Sequence, residues 1–245
     1  MTDQTLWQTI SSTLSKEIKS GHFLPGMKLP TEADLARRFG VNRHTVRRAL
    51  LTLKQGGMIA SQRGAGVYVL HSKTDYKIGE RVRFHQNLLD SGRSPSREWL
   101  TISTRNPDTS EMRALKLSKG DEVHIYEGKS LADNVPIALF KSVFPAKRFP
   151  DLPEKLMANQ SVTISLKASG VADYKRLSTQ ISAVLPSPTQ RGQLKLNQDI
   201  PLLKTLSINV DLLGNRIEFG TTWFASDRVS LTLESHLENA LMSSN

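Results

Sequence analysis

The sequence predicts an α+β protein in two parts. A small N-terminal unit of three helices and a β-hairpin precedes a larger domain in which helices are interspersed with an antiparallel sheet. Three observations carry this prediction. In the first 70 residues apolar side chains recur at spacings of three and four in successive blocks closed by glycine or proline. In the remainder, pairs such as Val123/Ile125 and Ile137/Leu139 alternate with period two, as half-buried strands do. Charge divides the chain as well: residues 1 to 70 hold 10 Lys/Arg against 4 Asp/Glu, a net +6, whereas residues 71 to 245 hold 23 against 19, a net +4 over a much longer stretch.

Taken in order, Leu6, Trp7, Ile10, Leu14 and Ile18 give a first helix with one apolar face, ended by Gly21 and Leu24-Pro25-Gly26. Thr31 is placed to cap a second helix, with Asp34 three residues on, Leu35, Ala36 and Phe39 facing a core, and Gly40 as its stop. Asn42 caps a third, in which Val46, Ala49, Leu50 and Leu53 form the apolar side and Gln55-Gly56-Gly57 the end. MIASQRGAGVYVL then reads as two short strands around an Arg-Gly-Ala-Gly turn. HSKTDYKIGE, residues 71–80, is polar and aperiodic and is read as a linker between a domain at 1–70 and one at 81–245.

In the second domain Ile181/Ala183/Leu185 and Leu206/Ile208/Val210 also alternate, and Asp133-Asn134 and Gly214-Asn215 are turn pairs, predicting two hairpins. Helical segments are expected near 81–91, 109–117, 161–169 and 188–195. MRALKLSKGDEVHIYEGKSLADNVPIALFKSVF and RGQLKLNQDIPLLKTLSINVDLLGNRIEFGTTWF share a layout of helix, Leu-Lys-Leu, polar turn, strand, hairpin and strand. Literal identity between them is slight. A duplication would predict two similar halves sharing one sheet, with a cleft near the pseudo-symmetry axis.

Composition excludes several classes. The chain of 245 residues is 38% hydrophobic and 23% charged, which suits a soluble globular protein. It contains no apolar run of ~18 residues, and MTDQTLWQTISS lacks the regions of a signal peptide. With no cysteine there are no disulfides or thiolate metal sites, which is compatible with a reducing cytoplasm. The net charge of +10 suggests a polyanionic partner.

GVNRHTVRRAL, residues 40–50, concentrates that charge on the third helix. Two helices joined by a tight Gly-Val-Asn turn make a helix-turn-helix, whose second helix can enter a DNA major groove. Arginine's rigid fork matches guanine O6 and N7 and phosphate oxygens alike. Arg43, His44, Arg47 and Arg48 project away from the apolar side, with Arg43 and Arg47 one turn apart. A run of charge is ordinarily a solvated face. Here the helix-turn-helix, the hairpin and the local basic excess agree on DNA. In the hairpin Arg63 stands beside Gly64, where glycine permits close approach to the backbone of DNA and arginine suits a narrow minor groove.

On these residues LPTEADLARRFGVNRHTVRRALLTLKQGGMIASQRGAGVYV resembles the winged helix-turn-helix of GntR-type bacterial transcription regulators, through its Leu-Pro-Thr-Glu opening, its V-x-R-x-T-V-R core and its glycine-containing wing. RFHQNLLDSGRSP, residues 83–95, and FASDR, residues 224–228, resemble the HutC branch, whose effector domain has a chorismate-lyase-like (UTRA) fold. Within that branch RFHQNLLDSG and VNRHTVRRAL are most similar to regulators of phosphonate utilisation. The resemblance implies a homodimer that binds an operator of two half-sites and responds to a small, anionic effector in its C-terminal, dimerising domain. DNA contacts then carry over to Arg43, His44, Thr45, Arg47, Arg63 and Gly64, with Thr31 and Arg48 as further candidates. Many relatives have an arginine where this chain has Ala33, so operator sequence does not transfer.

For the effector, Arg83 and Phe84 stand at the start of an expected helix, whose free N–H groups suit an anion, and Arg81 can add to the same field. Either arginine would equally serve a linker-facing or dimer-facing role. Glu218 occupies the family's ligand-facing acidic position, and Phe224 is a candidate wall that would suit a core equally. Arg176, Ser178 and Gln180 lie on or just before a strand that the fold brings to the cleft. Asp227-Arg228 reads as an architectural pair. Many relatives hold the ligand's anion with two arginines one residue apart, where this chain has Gly128 and Ser130, so the anion is expected to lean on Arg83 and the helix terminus.

Two other classes compete with a repressor of phosphonate uptake or of another catabolic pathway. An enzyme with a DNA-binding head is disfavoured: the six histidines (22, 44, 71, 85, 124, 236) lack metal-like spacing, no G-x-S-x-G, Walker A or H-E-x-x-H occurs, and no cofactor is called for. A nucleoid-type binder needs charge but no second domain of balanced charge.

Overall fold

Capping residues set the helices of the N-terminal unit. Helix α1 (Leu6–Lys19) starts in a capping box between Thr5 and Gln8, and α2 (Glu32–Phe39) in one between Thr31 and Asp34. In α3 (Arg43–Gln55) the Asn42 side chain accepts from Thr45 N–H at 2.9 Å. Gly40, at φ 63°, ends α2 in the left-handed conformation that glycine adopts without strain. Ile10 and Leu14 of α1, Leu35 of α2, and Val46, Ala49, Leu50 and Leu53 of α3 form one core. Leu6, read from its spacing as part of the apolar face, is exposed at the end of α1. Strands β1 (Ile59–Gln62) and β2 (Gly66–Val69) pair antiparallel, and Ile59 and Val69 seal the core from below.

This computed structural model describes residues 5–62, 64–70, 73–79, 88–89, 92–196 and 200–233. It divides into two units, Met1–Lys73 and Thr74–Asn245. The second begins inside the stretch read as a linker, because β3 (Thr74–Lys77) pairs in parallel with β10 (Val229–Thr232). Thr74 and Tyr76 are buried while Asp75 and Lys77 are exposed; four residues are too few for that alternation to register in sequence.

The remaining elements are β4 (Pro95–Arg105), α4 (Thr109–Leu115), β5 (Val123–Ala132), β6 (Val135–Pro145), α5 (Leu152–Asn159), α6 (Val162–Ala168), β7 (Tyr174–Val184), α7 (Pro188–Leu194), β8 (Leu202–Asp211) and β9 (Arg216–Ala225). The main sheet runs β4-β5-β6-β9-β8-β7. Asp133 (φ 51°) and Asn134 (φ 63°) make the two-residue turn between β5 and β6. The two halves of the sheet mirror each other in order. Pro95 and Tyr174, Thr109 and Pro188, and Val123 and Leu202 open equivalent elements and stand 79 residues apart in each case. Both halves therefore share one sheet, with β6 and β9 meeting at its centre.

Two buried polar clusters fix the geometry. Glu111 of α4, 1% exposed, accepts from Nη1 and Nη2 of Arg105 (2.8 and 2.9 Å) and from Lys141 (2.8 Å). Burial opposes ionisation of Glu111, but these hydrogen bonds outweigh it and hold its carboxyl below the usual range. Arg228 donates to the carbonyls of Pro136 (2.6 Å), Leu194 (2.6 Å) and Lys195 (2.9 Å), so it caps the C-terminal end of α7 and ties it to β6. Asp227 lies 3.4 Å from Arg228 Nε.

Candidate functional site

Five of the eight DNA-contact candidates read from the sequence, Arg43, His44, Thr45, Arg47 and Arg48, lie on α3. Arg43, His44, Arg47 and Arg48 are all exposed on the side opposite Val46, Ala49, Leu50 and Leu53. They are not equivalent. Arg47 donates from Nε and Nη2 to the two oxygens of Glu32 at 3.1 and 2.8 Å, a bidentate pair between α2 and α3. That hydrogen bond lowers the carboxyl pKa of Glu32 below its ordinary value. Arg48 lies with its guanidinium 4.6 Å from the Trp7 ring centroid, so it packs along α1. The side chains of Arg43 and His44 make no hydrogen bond or ion pair with the described residues.

Both threonines serve the caps. Thr45 Oγ1 donates to Asn42 Oδ1 at 2.9 Å, and Thr31 Oγ1 donates to Asp34 Oδ2 at 2.5 Å. Their hydroxyl protons are committed to holding helix starts in place. Gly64 is exposed at φ 75° with nothing within 4 Å of where a Cβ would stand, so backbone conformation, not crowding, calls for glycine there. Arg63 lies outside the described residues. Sequence reading missed Glu32 as the partner of Arg47; its place at the start of α2 was the available signal.

In the second unit a cavity of about 750 Å³ lies between one face of the sheet and the segment joining α5 to α6. This size accommodates a small-molecule ligand. Of the effector candidates named from the sequence, Glu218 (β9), Arg176 (β7) and Phe224 (β9) line it. Glu218 is 6% exposed and already engaged: Ser142 Oγ donates to Oε1 at 2.6 Å and Asn209 Nδ2 to Oε2 at 2.7 Å. Phe224 packs against Tyr76 with ring centroids 5.0 Å apart and is a wall. Tyr174 lines the cavity with its hydroxyl 2.9 Å from Thr163 Oγ1. Burial, and then the charge of Glu218, push the Tyr174 hydroxyl up to about 12, so it stays neutral.

Ser178 and Gln180 do not line this cavity. A β-bulge at Leu177, where the register passes from Arg176↔Asn209 to Ser178↔Ile208, reverses the alternation of β7. Arg176 faces inward before it; after it Thr179, opposite the cavity-lining Ser207, takes the inward parity and Ser178 and Gln180 are exposed on the other face. Arg81, Arg83 and Phe84 lie outside the described residues.

The sequence reading missed Arg97. It stands opposite Ser130 on the neighbouring strand, lines the cavity, and places its guanidinium 5.1 Å from the Phe140 ring centroid. Phe140 in turn faces Gly128, where an added Cβ would come within 2.6 Å of the ring. The absent side chain at 128 is what lets Phe140, and Arg97 above it, lie across β5. Among the described residues no cluster of three or more His, Cys, Asp or Glu could hold a metal ion. None of their helices is long and apolar enough to cross a membrane.

Residues 6–69 match the GntR family of bacterial regulatory proteins, and residues 90–230 match the UTRA domain. An uncharacterized HTH-type transcriptional regulator of Rhizobium meliloti is 34% identical over 231 residues, 94% of this chain and 95% of that one. The probable transcriptional regulator PhnF of Escherichia coli is 29% identical over the same length, again 94% and 95%. The crystal structure of PhnF from Mycobacterium smegmatis matches with a TM-score of 0.67 at 23% identity, covering 93% of this chain and 99% of that one, and so shares the fold. These relatives are regulators and not enzymes. With a basic helix-turn-helix in one unit and a cavity lined by both polar and apolar side chains in the other, the chain belongs to the GntR family of transcription regulators, with a UTRA domain for a small-molecule effector.

Proposed function

We propose that this chain is a cytoplasmic, homodimeric repressor of the HutC branch that binds an operator of two half-sites and releases it when a small anionic metabolite, a phosphonate or a phosphate-bearing compound, occupies the second unit. The observation that carries the reading is the state of the cations on α3: the side chains of Arg43 and His44 stand without hydrogen bonds among the described residues, and Arg47 is held in place by Glu32. A reading helix requires such poised donors. Thr31, Thr45 and Gly64 set the backbone around them, Arg48 adds a phosphate contact, and Arg63 reaches toward a narrow minor groove. The phosphonate assignment rests on RFHQNLLDSG and VNRHTVRRAL; a repressor in the same branch answering to a sugar phosphate or an amino-acid derivative is the alternative.

Release requires that ligand bind one arrangement of the dimer more tightly than the other, since a ligand of equal affinity shifts nothing. A fluorescence titration of the operator with the full chain, with and without candidate phosphonates, tests the reading. Operator affinity is expected to fall as ligand saturates the protein. Undiminished operator binding at saturating ligand refutes release.

A further inference from the structure

We propose that the cavity holds a tetrahedral, doubly charged oxyanion between Arg97 and Arg176, over the backbone of Gly220, and that this seat takes the place of the strand-borne arginine pair that Gly128 and Ser130 lack. The inference rests on the effector reading above and makes it specific: the ligand class is a phosphonate or phosphate monoester, and the anion is bound by the two edge strands of the sheet.

The first argument is positional. Arg97 and Arg176 stand 79 residues apart, the same separation that relates β4 to β7, so they occupy equivalent places in the two halves. Both line the one cavity although β4 and β7 are opposite edges of the six-stranded sheet. Each guanidinium therefore approaches from its own edge.

A second argument comes from what each arginine meets. In the first half the position opposite Gly128 carries Phe140, whose ring supports Arg97 at 5.1 Å. In the second half the position opposite Ser207 is Gly220, which offers no side chain. The Arg176 side chain thus has no aromatic platform, and no hydrogen bond or ion pair among the described residues. Arg176 is half-buried, and its buried Nε has gained no partner in place of water. An anion is the ligand that offsets that cost.

Charge and shape settle the class. The nearby carboxylate, Glu218, has each oxygen already engaged, by Ser142 or by Asn209. Tyr174 is neutral, for the reasons given above. Two guanidinium forks arriving from different directions would have to share the two coplanar oxygens of a carboxylate, whereas a phosphonate presents three, spread tetrahedrally, and can offer each fork its own acceptor.

The test uses the full chain and methylphosphonate as probe, with inorganic phosphate and acetate as comparison arms at equal ionic strength. Binding is read by thermal shift and by 31P line broadening in wild type, Arg97→Gln and Arg176→Gln. We expect methylphosphonate and phosphate to bind, acetate to bind at least tenfold more weakly, and each variant to lose about tenfold or more in affinity. A second readout needs no variant: in wild type, saturating methylphosphonate should protect Arg97 and Arg176 from butanedione, while Arg43 reacts as before. Failure of methylphosphonate and phosphate to bind overturns the proposal, as does acetate matching them, full affinity in a folded variant, or an unprotected Arg97 or Arg176. Operator release is measured separately. Arginine-dependent binding without release would leave this seat standing and refute the repressor reading. Release by a metabolite that protects neither arginine would do the reverse.

Discussion

Replacing Arg43 and Arg47 together by glutamine removes two guanidinium groups from each reading head while leaving the α3 core untouched, since both project from the exposed face. The Arg43 side chain has no hydrogen bond to lose, and Arg47 loses only the exposed pair with Glu32, so the unit should stay folded. If each arginine neutralises one phosphate, the slope of log K against log salt falls by about 0.9 per contact, about 1.8 per head and about 3.6 for a dimer. Carried to 0.1 M salt from an unchanged intercept at 1 M, that is a loss of roughly sixtyfold in affinity per head. If instead one arginine reads a guanine, the slope falls by only about 0.9 per head and discrimination at that base drops roughly tenfold to a hundredfold. Fluorescence anisotropy with operator and random duplex across a salt series separates these outcomes. An unchanged salt slope together with unchanged preference for operator, in a variant whose melting curve matches wild type, would refute the assignment of α3 as the reading element.

Further perturbations address the second unit. Arg228→Met leaves the carbonyls of Pro136, Leu194 and Lys195 without their donor, and should destabilise that unit by about 3–5 kcal/mol in urea unfolding; a cost under about 1 kcal/mol, an ordinary net hydrogen bond, would show that the three bonds matter little. Gly128→Ala brings a Cβ to 2.6 Å from the Glu98 carbonyl and the Phe140 ring, so overpacking of about 1–3 kcal/mol and weaker methylphosphonate binding are expected, and wild-type values of both would count against the packing described. His124 sits buried between Thr104 Oγ1 (2.7 Å) and the Phe149 carbonyl (3.1 Å), and burial lowers its pKa; the unfolded chain then takes up protons first, so stability present above the unfolded pKa of about 6.5 is lost as pH falls through the folded value. Melting temperatures of His124→Gln should change less than those of wild type between about pH 7.5 and pH 5.5, and equal changes would remove His124 from the account.

Capping chemistry made much of the fold legible. Thr31, Gly40 and Asn42 punctuate α2 and α3 in sequence because their side chains or φ angles do so in the structure. The turn at Asp133-Asn134 works the same way. What failed to register has physical causes. β4 is an edge strand with most of its residues exposed and a bulge between Trp99 and Thr101, so no period-two pattern survives in PSREWLTISTR. In α5 only Leu152 and Leu156 are buried, too few for an apolar stripe. At the candidate site, local reading placed Glu218, Arg176 and Phe224 on the cavity and the α3 cations on an open face. It misassigned the inward side of β7 past Arg176 because a bulge changes parity without changing composition. Arg97 escaped for a different reason: its inward role depends on the pairing of β4 with β5 and on the emptiness at Gly128, both nonlocal.

The acidic residues of the N-terminal unit explain how its excess charge is organised. Only Asp3, Glu17, Glu32 and Asp34 oppose ten basic side chains there. Glu17 pairs with Arg38, fastening α1 to α2, and Asp34 completes the cap at Thr31. Glu32 reaches across to α3 and grips Arg47 with both oxygens. A carboxylate there weakens attraction to any phosphate, so it costs affinity for DNA of every sequence. It also fixes the fork of Arg47 before DNA arrives and leaves Nη1 outside the bidentate pair. A flexible arginine would take whichever phosphate came first; a held one exchanges Glu32 only for an acceptor placed to receive its fork. The pair thus exchanges general affinity for selectivity, and this is the physical difference between a regulator that must find one site and a basic protein that coats any duplex.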